Sequence, residues 1–251
     1  MITGVKKRII VENVSKTFKV DFKKNESTLF QFIDFLFRKI NKREIEVLKN
    51  ISFEVFPGEI LGIIGKNGSG KSTLLRLIAG VYQADAGEIK TNGKVVYLTG
   101  VNQGSSPKLT MRENIFLMGS VMGLSQKDIK ERFDEIVEFS GLRDFIDMRV
   151  YQFSSGMISR LNFSIVIHCV KHHNPDILLL DEVFSAGGDK DFNKKATEKM
   201  EELINSGTSV ILVSHDLILI EKYCNRVIYL GKGDILKIGK PEEVISFYKE
   251  N

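Results

Sequence analysis

The stretch Gly65-Lys66-Asn67-Gly68-Ser69-Gly70-Lys71-Ser72, GKNGSGKS in single letters, decides how this chain is read. The apolar run Ile60-Leu61-Gly62-Ile63-Ile64 leads into it, and Thr73-Leu74-Leu75-Arg76-Leu77-Ile78-Ala79 follows with the pattern of a helix. A strand, a glycine-rich loop and a helix in this order form the setting in which a loop cradles phosphate. Glycines at 65, 68 and 70 let the backbone turn sharply and bring its N–H groups against anionic oxygens. The helix start adds unpaired N–H donors and the positive end of a dipole. Lys71 is placed to neutralise the β- and γ-phosphates, and the Ser72 hydroxyl to ligate Mg²⁺. A glycine-rich turn that binds nothing would not need Lys71 and Ser72 in register with the strand and helix. The loop therefore predicts binding of a nucleoside triphosphate.

The second half of the chain narrows the chemistry. After Asn174-Pro175, the run Asp176-Ile177-Leu178-Leu179-Leu180 reads as a buried parallel strand, ending in Asp181-Glu182. Carboxylates at the C-terminal end of such a strand stand where doubly wound sheets bind ligands. Asp181 suits Mg²⁺, and Glu182 suits polarisation of an attacking water. Ser209-Val210-Ile211-Leu212-Val213 forms another β-branched strand and runs into Ser214-His215-Asp216. A lone histidine at a strand end is commonly structural, but following a strand that ends in these acids it can instead touch a γ-phosphate or its attacking water. Upstream, Tyr151-Gln152-Phe153-Ser154-Ser155-Gly156-Met157 precedes an apolar helical pattern, so Ser154 or Ser155 can cap a second helix N-terminus able to hold an anion.

Taken as an ordered set, these motifs resemble those of the ATP-binding subunits of ABC transporters, from about residue 9 to residue 245. Phe153-Ser154-Ser155-Gly156-Met157 is similar to the family's signature motif, with Ser154 on its serine and Gly156 on its second glycine. Ser155 stands for the usual first glycine and Met157 for the usual glutamine. His215 matches the switch histidine. Phe18, in Val14-Ser15-Lys16-Thr17-Phe18, matches the aromatic that stacks on adenine. The resemblance implies an α/β fold of the P-loop NTPase (RecA-like) class, an ABC ATPase domain with a helical subdomain and an antiparallel β element.

It further implies ATP and Mg²⁺ as ligands. Phe18, Gly65, Lys66, Asn67, Gly68, Ser69, Gly70, Lys71, Ser72 and Thr73 would contact the nucleotide, with Ser154 and Gly156 reaching it from a second copy. Ser72, Asp181 and Gln103 would serve the metal, and Lys71, Glu182 and His215 the hydrolysis. Gln103 is the available match for the glutamine that follows Val95-Val96-Tyr97-Leu98, although it lies closer to Pro107 than the family pattern has it. Ser185-Ala186-Gly187-Gly188-Asp189 carries one residue more than the family's loop, so Asp189 matches the inter-subunit acid loosely.

Composition sets the outer bounds. At 251 residues the chain can hold one large α/β domain. Its net charge of +4 gives no sign of a nucleic-acid partner. Cys169 and Cys224 are isolated, as in a reducing compartment. Met1 to Arg8 leads into a strand without a leader pattern, and no apolar run approaches the roughly twenty residues of a membrane span. A membrane role therefore requires separate permease subunits. The chain would then be peripheral, on the cytosolic side of the inner membrane.

Strands are expected near 9–13, 51–56, 60–64, 95–98, 177–181, 209–213 and 226–230, and helices near 71–79, 111–122, 126–140, 155–171, 190–206, 217–223 and 241–249. Residues 1–103 and 172–251 would form the nucleotide-binding lobe, and 104–171 a helical subdomain carrying the signature. His168 and His172 share one helix face, but a helix end before Asn174-Pro175 accounts for them without a metal.

An insertion over 19–46 sets this chain apart. Leu29, Phe30, Phe32, Ile33, Leu36, Phe37 and Ile40 make a wide apolar stripe, while Gln31, Asp34, Arg38 and Asn41 recur on the other face. Lys23, Lys24, Lys39, Lys42 and Arg43 flank it. The pattern predicts an amphipathic helix over 28–41, packed either on the domain itself or at a membrane interface or membrane-protein partner. Together with Ser154-Ser155-Gly156-Met157 and Leu109-Thr110-Met111-Arg112-Glu113-Asn114, it resembles the ATPases that export O-antigen, capsular polysaccharide or teichoic acid. There the insertion is a gate-like helix at the transporter's cytosolic face. Some members add a glycan-reading β-sandwich, which this sequence, ending at Asn251, is expected to lack. The subgroup implies a homodimeric ATPase driving polysaccharide export. The alternatives are an exporter of another amphiphile, lipid or drug, and an ABC ATPase outside transport.

Overall fold

The computed structural model describes residues 7–21, 42–99, 105–182, 190–204 and 206–251. Apolar runs become central strands. Strand β3 (Ile60–Ile64) is followed by helix α1 (Lys71–Ile78), and strands β6 (Ile177–Asp181), β7 (Ser209–Val213) and β8 (Arg226–Gly231) lie beside β3 in one six-stranded sheet. Its order is β5-β6-β7-β3-β8-β9, with β5 (Val95–Thr99) at one edge and β9 (Asp234–Gly239) at the other. All its pairs are parallel except β8 with β9. Both faces are covered, so β6 and β7 are buried at every position.

A second, antiparallel sheet has the order β2-β1-β4, from β1 (Ile9–Asp21), β2 (Lys42–Val55) and β4 (Ala86–Thr91). Ile9, Val11, Val14, Leu48, Ile51 and Val55 turn inward and pack with Leu61, Ile63, Leu74 and Leu75 in one apolar core. The sequence reading had both long strands too short. Phe18 pairs with Ile45 and Asp21 with Lys42, so 19–21 and 42–46 are strand and not part of an inserted helix. The amphipathic helix expected over 28–41 lies outside the described residues. Strands β4 and β9 were not foreseen either. The first is mostly exposed and the second alternates half-buried with exposed residues, so neither carries the apolar run that marks a central strand.

Between β5 and β6 the chain is helical. Helix α2 (Met111–Val121) and helix α3 (Gln126–Ser140) each begin with a capping box, Thr110 with Glu113 and Ser125 with Asp128. Helix α4 (Ser155–His173) is capped by Ser154, whose hydroxyl accepts from the Met157 N–H at 3.2 Å. It stops at Asn174, in the left-handed conformation at φ 42°, because Pro175 disfavours a helical residue before it. The boundary drawn at 171 thus falls inside α4, two residues before its end.

Helix α4 joins two cores. Phe163, Ile167 and Val170 pack under the parallel sheet with Leu178, Leu180 and Leu212, while Leu161, Ile165 and Cys169 pack with Met111, Ile115, Ile129 and Ile136. Apolar residues on both sides of one helix tie the helical subdomain to the lobe. Helices α5 (Lys190–Ile204), α6 (Leu217–Tyr223) and α7 (Pro241–Glu250) complete the layers. Cys169 and Cys224 are both buried and free, and burial pushes their thiols up to about 11 and about 12.

Candidate nucleotide-binding site

Sheet order brings the site together. β6, β7 and β3 are neighbours, and register pairs Asp181 with Val213 and Ile63 with Val213. The residues that follow these strand ends, Gly65, Glu182 and Ser214, therefore emerge at one edge of the sheet, where ligands of open α/β sheets bind.

The loop after β3 requires glycine at its closest points. Gly65 has φ 155°, and a Cβ there would meet the Leu230 carbonyl oxygen at 2.2 Å. Gly70 has φ 107°, and a Cβ there would lie 2.7 Å from Leu48 Cδ2. Gly70 is also the N-cap of α1 and offers no side chain to its N–H groups, so those donors face the loop's concavity. The Ser69 hydroxyl is buried without a hydrogen-bond partner. A buried hydroxyl without a partner, in a glycine-rich turn at a helix N-terminus, is what an anionic ligand would satisfy, so the loop fits a polyphosphate.

Lys71 is 6% exposed, and its Nζ donates to the carbonyls of Gly65 at 2.7 Å and Lys66 at 3.1 Å. Burial lowers its pKa, and the charges of Glu182 and Asp181 oppose that shift. Ser72 Oγ donates to Asp181 Oδ1 at 3.2 Å, and the Tyr97 hydroxyl donates to Asp181 Oδ2 at 3.2 Å. Burial first, and then the Asp181 charge, pushes the Tyr97 phenol up to about 12, so it stays protonated. A serine hydroxyl beside a buried carboxylate is a donor set of hard oxygens that suits Mg²⁺.

Glu182 and His215 meet just beyond the ends of β6 and β7. Their Oε1 and Nε2 atoms are 2.9 Å apart, with both side chains about half exposed. Glu182 sits at φ 56°, uncommon outside glycine, and its N–H is fixed by the Val213 carbonyl at 3.1 Å. Such outliers concentrate at functional positions. Asp216 caps α6 and donates its own N–H to Ser214 Oγ at 3.0 Å, which holds the turn carrying His215.

The predicted residues do not all converge within one chain. Lys66, Asn67, Gly68 and Thr73 lie on the loop and first turn with Lys71 and Ser72. Phe18 is on β1, edge-on to Tyr82 with ring centroids 5.5 Å apart. It pairs with Ile45, while Val47 and Leu48 of the same strand abut Gly70. Ser154 and Gly156 sit at the start of α4, and no hydrogen bond among the described residues joins them to residues 65–73. Gln103 and Asp189 lie outside the described residues. The histidines serve the helix: His168 Nδ1 is bonded to the Ser164 carbonyl at 2.7 Å, and His173 Nε2 to that of Met122 at 2.8 Å. Sequence reading missed Tyr97, which bonds the Asp181 carboxylate. A phenol inside an otherwise apolar strand was the available signal.

A glycine-rich loop after β3, a carboxylate pair at the end of β6 and a histidine after β7 define a P-loop nucleotide-binding cassette. The chain belongs to the ABC transporter family, whose family model matches residues 48–185. It is 37% identical over 214 residues to an O-antigen export system ATP-binding protein, RfbB of Klebsiella pneumoniae, covering 85% of each chain. It is 37% identical to the protein of the same description from Myxococcus xanthus, covering 96% of this chain and 55% of that one. It is 43% identical to the teichoic acids export ATP-binding protein TagH of Lactococcus lactis, covering 84% of this chain and 44% of that one. The chain thus spans about half the length of these last two relatives. Among solved structures it is similar in fold to a dimeric ATP-binding cassette in a post-hydrolysis state with ADP and Pi. The TM-score is 0.69 and the identity 23%, over 93% of this chain and 98% of that one.

Proposed function

We propose that this chain is the ATP-hydrolysing subunit of an ABC exporter that moves a polysaccharide or polysaccharide–lipid across the cytoplasmic membrane. The observation that carries the ATPase reading is the joint placement of Lys71, Ser72–Asp181 and Glu182–His215 at one sheet edge. The export systems to which the relatives belong, for O-antigen and teichoic acids, support the substrate class.

Lys71 would exchange the Gly65 and Lys66 carbonyls for β- and γ-phosphate oxygens, a swap that keeps its buried charge paired. Ser72 and Asp181 would hold Mg²⁺, with Gln103 as the further candidate, and the ion would supply charge neutralisation along the phosphates. Glu182 would accept or orient the proton of the attacking water, and His215 would release Glu182 to hold the γ-phosphate. Phe18 would stack on adenine.

One chain leaves this site open. The exposed N-terminus of α4, with Ser154 and Gly156, is an anion-binding helix end whose partner would be the nucleotide on a second copy. A homodimer would make two such sites by symmetry. Among the described residues, no helix is long and apolar enough to cross a membrane. The subunit would therefore act on separate permease subunits as a peripheral protein of the cytosolic face. The 28–41 stripe is the proposed gate-like element toward them.

A chromosomal Glu182→Gln substitution tests the whole reading. Loss of surface glycan with its lipid-linked precursor retained inside the cell is the expected result. Normal surface glycan alongside lost efflux of a lipid or drug would assign the ATPase to a different exporter.

A further inference from the structure

We propose that Tyr97 is a positioning residue that orients the Asp181 carboxylate toward the metal side of the phosphate-binding loop. The inference rests on the reading of Asp181 as a metal ligand.

The contacts form a closed path. Ser72 and Arg76 lie one turn apart on α1, on the same helix face. Ser72 Oγ donates to Asp181 Oδ1, and the Tyr97 hydroxyl donates to Asp181 Oδ2, each at 3.2 Å. The Arg76 guanidinium interacts electrostatically with the Tyr97 and Tyr82 phenols. A carboxylate has acceptors only, so the phenol must spend its single proton on Asp181. The direction of every bond in the path is thereby fixed. Oδ2 is committed to Tyr97, which turns Oδ1 to Ser72.

Sheet register makes this possible. β5 pairs in parallel with β6, Tyr97 opposite Leu179 and Thr99 opposite Asp181. Leu179 and Asp181 share a face of the sheet, so the long Tyr97 side chain reaches diagonally across to the carboxylate. Without the phenol, Asp181 would keep one hydroxyl partner and a free rotation about its terminal torsion. Outer partners of this kind fix the direction of a ligand, and losing one typically weakens metal affinity by about 10–100-fold. The same path continues outward. Arg76 lies 5.9 Å from the Tyr82 ring centroid, and Tyr82 meets Phe18 edge-on.

The test measures binding of a fluorescent ATP analogue to the full chain across Mg²⁺ concentration, and again in EDTA. Tyr97→Phe removes only the hydroxyl and keeps the ring. We expect it to raise the half-saturating Mg²⁺ by about tenfold or more, leaving affinity in EDTA within a factor of about two. Arg76→Gln, with the Tyr97 ring intact, carries the same direction of change should Tyr97→Phe fail to fold. Asp181→Asn is the reference and should abolish the saturable Mg²⁺ response. If Asp181→Asn abolishes it while Tyr97→Phe and Arg76→Gln match the parent, the positioning role is wrong and the metal reading stands. If Asp181→Asn keeps the parental response, the metal reading fails and takes the inference with it. Equal weakening of Tyr97→Phe in EDTA and in Mg²⁺ would make Tyr97 a support of the loop and overturn its role toward the metal.

Discussion

Nε2 of His215 lies 2.9 Å from Oε1 of Glu182, so the candidate base and the candidate γ-phosphate contact are joined to each other across the ends of β7 and β6. The pair exists because β6 and β7 are adjacent and in register, and because the left-handed turn at Glu182 aims its side chain back over β7.

Glu182→Gln preserves the contact's shape and removes the base. ATP hydrolysis should fall by about 10²-fold or more, with nucleotide still bound. Phosphate release under single-turnover conditions checks this, and a parental rate would remove Glu182 from its role.

Lys71→Ala deletes the buried ammonium now held by the Gly65 and Lys66 carbonyls. Nucleotide affinity should collapse, because a charge-assisted bond to phosphate has no substitute at that point of the loop. Calorimetric titration with ATP reads it directly. Near-normal affinity would mean that the nucleotide binds elsewhere.

Acid should loosen the join between the two cores. Burial lowers the His168 pKa, so the folded state holds the neutral ring, with Nδ1 on the Ser164 carbonyl. A depressed folded pKa gives stability that is present above the ordinary histidine value and is lost as pH falls toward the folded one. Melting temperature should decline with acidification below about pH 6.5, and His168→Gln should flatten that particular decline. Identical pH profiles for the two proteins would show that His168 does not contribute.

Much of this was legible in the sequence because phosphate chemistry is local. Gly65 to Ser72 carries its loop, cation and metal-side hydroxyl within eight adjacent residues, bounded by an apolar strand and a helix. Asp181, Glu182 and His215 could be read because each follows a β-branched or leucine-rich run whose end is unmistakable. What failed was non-local or weakly patterned. β4 and β9 lie at sheet edges and need no continuous apolar run. The outer halves of β1 and β2 are held by pairing with each other, which no single stretch announces. Tyr97 reaches Asp181 only through strand register, so its contact is invisible until β5 is set beside β6.

In the proposed homodimer, Ser154 of one copy closes the site over Lys71 of the other. Ser154→Arg should leave ATP binding intact and abolish turnover, and Lys71→Ala should abolish both. Mixing the two inactive variants and allowing subunits to exchange puts both lesions into one site of each heterodimer and leaves the other site intact in both motifs. ATP hydrolysis by the mixture is the direct measurement. With independent sites, roughly a quarter of parental activity should return, since half the dimers are mixed and each holds one sound site. A mixture as inactive as its parents, with heterodimers demonstrated by differential tagging, would contradict independent shared sites.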